Sequence, residues 1–145
     1  MPSDLLLKSV NAVHRMLLRA SGGRIGRDVA GMPVLELVTT GRRSGALRAV
    51  MLTSPLREGV AYIVVASRGG DDRHPAWFLN LRDEPKVMVA VQGGPRTPML
   101  ARVATPEERT RMWPKITARY GNYANYQKRT RREIPLVLLR PIAPA

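Results

Sequence analysis

The stretch between residues 34 and 104 most constrains this chain: short β-branched and aliphatic runs joined by glycine-bounded turns. Val34-Leu35-Glu36-Leu37-Val38-Thr39-Thr40 reads as a first strand, Gly41-Arg42-Arg43-Ser44-Gly45 as a tight turn, and residues 46–54 as a loosely alternating second strand. Glu58-Gly59 marks a hairpin into a third, nearly all-apolar strand over residues 60–67. A loop follows, then a short helix over 76–82 stopped before Pro85. Residues 87–91, 99–104 and 136–139 supply a fourth, fifth and sixth strand. Strands that succeed one another through tight turns pair antiparallel, because a parallel pair needs a crossover of about a dozen residues or more. The expected fold is therefore mostly β (α+β), a six-stranded antiparallel barrel carrying short peripheral helices.

Helical signals lie at the two ends. Residues 3–20 predict an amphipathic helix capped by Ser3 and ended by Ser21-Gly22-Gly23. Leu6, Val10, Val13 and Leu17 share one face, and Lys8, Arg15 and Arg19 span about 40° on the opposite face. Thr105-Pro106-Glu107-Glu108 combines an N-cap, a proline at the first helical position and a capping box. That helix is expected to run to Tyr120, bent or broken at Pro114, with Gly121 as its C-cap, before a short helix over 122–130. The chain divides into residues 1–23, helix and linker, and a single domain over 24–145.

The formal net charge is +13, and arginine supplies 20 of the 24 basic residues. Such a surface seeks an anion: nucleic acid, anionic lipid or a small polyanion. Composition does not choose among them, but the chain carries no helix-turn-helix, zinc-finger or RNA-binding signature, so no specific nucleic-acid partner is expected. The absence of cysteine excludes disulfide scaffolds, thiolate zinc sites, cysteine nucleophiles and iron–sulfur clusters, and fits a reducing cytoplasm. With only His14 and His74, a histidine-rich metal site is excluded too. No run approaches the ~20 apolar residues of a membrane span, and the first residues do not read as a secretory signal. There is no G-x-S-x-G, no H-E-x-x-H and no acidic pair at catalytic spacing, so a bound cofactor is the expected source of chemistry.

Four segments carry candidate chemistry. Arg42, Arg43 and Arg48 surround a tight turn with Ser44, and can converge on one anion or form a solvated hairpin tip. Ser67-Arg68-Gly69-Gly70 closes the third strand, where glycines admit a ligand and Arg68 adds a fourth cation, or simply form a loop. Pro75-Ala76-Trp77-Phe78-Leu79-Asn80 opens a helix whose free amides, Trp77 and Asn80 suit a ring edge, while periodicity alone puts Trp77 and Phe78 in the core. Tyr120, Tyr123 and Tyr126 recur every three residues, about one helical turn, so their hydroxyls can line one side of a site for a flat, partly polar molecule. The Arg129, Arg131 and Arg132 run that follows can serve phosphate or headgroups, but reads first as a solvated basic tail.

These blocks, with residues 37–45, 65–70, 74–81, 85–87, 120–127 and 134–135 in order, resemble the deazaflavin (coenzyme F420)-dependent nitroreductase family. The resemblance, over residues 33–141, implies a split β-barrel of the FMN-binding type and coenzyme F420, a deazaflavin with a phospholactyl-oligoglutamate tail. It implies that Arg42, Arg43, Ser44 and Arg48 contact phosphate and tail. Val65, Ala66, Ser67 and Arg68 would lie beside the ring, and Ala76, Trp77, Phe78 and Asn80 would hold it. Tyr123 and Tyr126 would close the acceptor side, with Tyr126, Tyr123 or Ser67 as proton donor. Two positions depart from the family pattern: Ala49-Val50-Met51-Leu52-Thr53 replaces a proline and a bulky residue in one pocket wall, and Arg68 replaces a lysine. The expected activity is hydride transfer from reduced coenzyme F420 to a quinone, activated alkene or nitroaromatic. An FMN- or haem-binding barrel and a non-catalytic basic nucleic-acid- or lipid-binding module are the alternatives. The protein is expected in the cytoplasm, with residues 3–20 either in peripheral contact with an anionic membrane or forming a lid over the cofactor tail.

Overall fold

A computed structural model describes residues 28–142, so the expected helix over 3–20 and the boundary at residue 23 lie outside the described residues. The elements in chain order are β1 (Asp28–Val29), β2 (Met32–Thr40), β3 (Leu47–Thr53), β4 (Leu56–Glu58), β5 (Ala61–Val65), a 3-10 turn (Arg68–Gly70), α1 (Ala76–Asp83), β6 (Lys86–Val91), β7 (Arg96–Val103), α2 (Pro106–Arg119), α3 (Gly121–Lys128) and β8 (Leu136–Pro141). Every strand pair is antiparallel. One curled sheet runs β3-β2-β6-β7-β8-β5-β4, with β1 added at the start of β2.

The two edge strands of that path, β3 and β4, are joined only by Ser54-Pro55, so the sheet folds back on itself as a split barrel. Ser54 pins the split. Its N–H donates to Pro33 O at 3.1 Å on β2, and its hydroxyl donates to Ile63 O at 2.8 Å on β5. Alternation along each strand divides the core in two. Val64 and Ala66 of the β5 segment, with Val137 and Leu139 of β8, point inward, where Trp77, Phe78 and Leu81 of α1 plug the barrel. Ile63, Val65, Leu136 and Leu138 point outward onto Met112 and Ile116 of α2 and onto Tyr120 and Tyr123. Each large apolar side chain buried this way contributes about 1.5–3 kcal/mol.

All six expected strands are present, but the described residues hold eight, because β1 and β4 are added. The extra two are only two and three residues long, below the length at which alternation can register. The β1–β2 hairpin turns on Ala30 and Gly31, both with positive φ, +52° and +81°, a geometry that an alanine at the first position conceals. Pro114 does not break the next helix: α2 is continuous from Pro106 to Arg119. Thr110 and Pro114 are both exposed, so the carbonyl that lacks an N–H partner is on the solvent side. Gly121 opens α3 rather than capping α2, whose C-cap is Tyr120.

Candidate active site

The β2–β3 turn presents Arg42, Arg43, Ser44 and Arg48 on an exposed rim. The turn is tightly self-bonded. Gly41 N–H donates to Ala46 O at 2.7 Å, Gly45 N–H to Gly41 O at 2.8 Å, and Ala46 N–H to Ser44 Oγ at 3.1 Å. Those amides are therefore not ligand donors, and the rim recognises anions through its guanidinium groups. Arg68, Arg73, Arg96, Arg102, Arg109 and Arg111 each pair with a carboxylate. Among the described residues no carboxylate pairs with Arg42, Arg43 or Arg48.

Asn80 ties this rim to α1. Its Oδ1 accepts from Arg42 N–H at 3.2 Å and from Arg42 Nη1 at 3.1 Å, while its Nδ2 donates to Thr39 Oγ1 at 3.1 Å. The side chain expected to bond a ring is thus engaged within the protein. Ala76 is exposed at the first turn of α1, and Trp77 and Phe78 are core residues, their rings edge-to-face at 6.4 Å. Their place in the barrel plug is what periodicity alone indicated.

At the end of β5, Val65 faces the tyrosines and Ala66 faces α1. The chain then turns through three residues of positive φ, Arg68 at +45°, Gly69 at +65° and Gly70 at +86°. Arg68 is ion-paired to Asp71, and both side chains are nearly buried, so it is not a free anion contact on the rim. The Arg73 N–H on Asp71 Oδ1, at 3.0 Å, chiefly holds the Asp71 carboxyl below the usual range, against burial and with help from Arg68. Ser67 lies at the start of this turn and is nearly buried. His74 packs on Phe78, with ring centroids 4.7 Å apart. Burial, then the charges of Arg132 and Arg82, pull its pKa below the ordinary histidine value.

Tyr120, Tyr123 and Tyr126 form an edge-to-face ladder, with centroids 6.5 Å and 6.0 Å apart. Tyr120 and Tyr123 are buried and Tyr126 is half-exposed. The Tyr123 hydroxyl pairs with Thr53 Oγ1 at 3.3 Å and lies 3.6 Å from Met32 Sδ. Burial pushes its pKa up, with the Thr53 bond acting in the opposite direction, so it is a neutral donor at physiological pH. Thr53, within the stretch that departs from the family pattern, and Arg132, within the basic run after α3, also touch these candidate segments, and no local sequence signal marks either. The Arg132 guanidinium is folded under the 66–71 segment.

The fold is thus a split antiparallel barrel with a tyrosine ladder beside one strand end and an arginine rim that has no carboxylate partner among the described residues. The family model described as F420H(2)-dependent quinone reductase matches residues 11–141, and the chain belongs to that family of coenzyme F420-dependent oxidoreductases. An F420H(2)-dependent quinone reductase of Mycobacterium tuberculosis is 40% identical over 131 residues, 88% of this chain and 87% of the relative. A solved F420-H2 dependent reductase, FDR-A, is 38% identical with a TM-score of 0.64, covering 74% of this chain and 94% of that one. A structure described as a domain-swapped dimer is 36% identical with a TM-score of 0.66, covering 89% of this chain and 94% of that one. The haem storage protein HutZ of Vibrio cholerae, 14% identical with a TM-score of 0.51 over 91% of this chain and 90% of its own, shares the fold alone.

Proposed function

We propose that this protein transfers hydride from reduced coenzyme F420 to a quinone-type acceptor, with the β2–β3 rim holding the cofactor's anionic tail and the tyrosine ladder receiving the acceptor. The observation that carries the reading is the rim itself: three guanidinium groups on one turn and the strand after it, without a carboxylate partner among the described residues, tethered through Asn80 to the helix beside the β5 end. That donor set fits a phosphodiester and a run of carboxylates, which guanidinium groups bind bidentately.

When bound, the deazaflavin supplies two electrons as a hydride from its ring carbon. The chain's own residues do the rest. Arg42, Arg43 and Arg48 fix the tail, with the Ser44 proton available as a further donor. Val65, Ala66 and Ser67 with Ala76, Trp77, Phe78 and Asn80 would frame the ring side and so orient the bound ring toward the acceptor. The Tyr123 hydroxyl, kept protonated by burial, donates to an acceptor oxygen as negative charge develops there. Two-electron reduction of a quinone also takes a proton, and Tyr126, Tyr123 or Ser67 delivers it, with solvent restoring the donor. No helix among the described residues is long and apolar enough to cross a membrane. The Lys8, Arg15 and Arg19 stripe of residues 3–20 supports peripheral, salt-sensitive contact with anionic lipid, where lipid-soluble quinones reside.

A fluorescence titration with coenzyme F420 tests the reading. Arg42→Ala and Arg48→Ala are each expected to weaken binding by about 1.5–3 kcal/mol while the protein stays folded. Unchanged affinity in both variants, or preference for FMN over F420, overturns it.

A further inference from the structure

We propose that Arg132 is a positioning residue that clamps the ring-side segment, residues 66–71, from below. The inference rests on the functional reading above.

A guanidinium group offers five N–H donors in a planar fork. Arg132 Nε donates to Asp71 O at 2.8 Å, Nη2 to Ser67 O at 2.8 Å, and Nη1 to Ala66 O at 3.1 Å. Nη1 also lies 3.2 Å from His74 Nδ1, and because arginine only donates, Nδ1 is the acceptor and the ring proton is on Nε2. Three backbone carbonyls, two where the segment begins and one where it ends, are thus gathered onto one side chain. The segment between them needs such a clasp. It holds three successive residues in the left-handed region, one of them Arg68, and a non-glycine residue is strained there.

The clamp is anchored in turn to the helix that carries the acceptor-side tyrosines. Arg132 N–H donates to Thr130 Oγ1 at 3.2 Å, and Arg132 O accepts from Gln127 Nε2 of α3 at 2.8 Å. Gln127 Oε1 accepts from Ile134 N–H at 2.9 Å and from Arg109 Nη2 at 3.1 Å, closing the network onto α2. Tyr123 and Tyr126 lie on the same helix as Gln127. Arg132 therefore sets the separation between the ring-side strand end and the acceptor-side ladder. A lysine has one nitrogen with three donors and cannot span these carbonyls, so charge alone does not replace it.

The test compares Arg132→Lys and Thr130→Ala with the parent. Binding is read with coenzyme F420 and with a tail-less 8-hydroxy-5-deazaflavin, and amide hydrogen exchange is read without cofactor. In Arg132→Lys both deazaflavins are expected to lose affinity equally, about tenfold, with kcat reduced and acceptor KM unchanged. The Gly70 and Asp71 amides, which close the turn onto Ser67 O and Arg68 O, are expected to exchange faster while α2 is unaltered. Thr130→Ala is expected to shift the same readouts in the same direction by less. Loss confined to the tailed cofactor would make Arg132 a tail contact and overturn the proposal, as would parent-like exchange at Gly70 and Asp71. Exchange is independent of cofactor, so a parent protein that bound no deazaflavin would overturn the functional reading while the clamp was still decided.

Discussion

Replacing Asn80 tests how the rim is built. Its side chain is 4% exposed and joins β2, the rim turn and α1 through three hydrogen bonds. In Asn80→Ala the exposed Arg42 guanidinium returns to water at little cost. The Arg42 N–H loses its acceptor, and Thr39 Oγ1, on a residue 1% exposed, loses its donor. Leaving such a group unsatisfied costs about 1–3 kcal/mol each, so the sum is about 2–6 kcal/mol. For a chain of this size that lowers Tm by roughly 5–25 °C. Asn80→Asp keeps both Arg42 bonds, now charge-assisted, and the Thr39 hydroxyl can turn to donate to the second oxygen, so it is expected to lose less than half as much. Thermal denaturation of both variants, beside F420 titration, is the assay. Because Asn80 holds the turn that carries Arg42, the alanine variant is expected to weaken coenzyme F420 more than a tail-less deazaflavin. An alanine variant that melts like the parent, or an aspartate variant as damaged as the alanine one, refutes the tether.

Three further outcomes follow from the geometry. Tyr123→Phe and Tyr126→Phe are expected to lower turnover more than cofactor affinity in steady-state and binding assays; unchanged rates with lost binding would reverse their assignment. Gly70→Ala places a Cβ 2.7 Å from Tyr126 O and 3.0 Å from Arg129 Cβ at a φ of +86°, so it is expected to cost about 2–4 kcal/mol in denaturant unfolding and to displace α3. Since the His74 pKa lies below its unfolded value of 6.5, the unfolded chain takes up protons first as pH falls. Stability is therefore fully present above pH 6.5 and declines as pH falls through the folded pKa. Between pH 7 and 5, above the range of ordinary carboxylates, a His74→Phe variant is expected to show a flatter stability profile than the parent, and an equally steep one would contradict the assignment.

The strands were legible where one face is buried and the pattern is long, as in β2 and β5, and the Thr105–Glu108 capping box is formed as its spacing predicts. Two-residue β1 was illegible because its pairing comes from a turn geometry that Ala30 does not advertise. Pro114 does not end α2 because its helix position faces solvent, where water can take up the carbonyl left without an N–H partner. At the site, the anion-seeking character of the rim could be read from three arginines around one turn. The Asn80–Arg42 tether spans 38 positions and has no local signature. Arg132 was hidden inside a basic run whose members look alike in sequence, though only the fold decides which of them turns inward. The Arg68–Asp71 ion pair was not legible because a left-handed turn brings the two side chains together.

The central claim is tested most directly by mixing the protein anaerobically with reduced coenzyme F420 and a water-soluble quinone, and following the return of oxidised deazaflavin absorbance. The account predicts oxidation at a rate proportional to protein, with one quinone reduced per deazaflavin oxidised. Absence of that oxidation, while reduced FMN with the same protein does reduce the quinone, would contradict it.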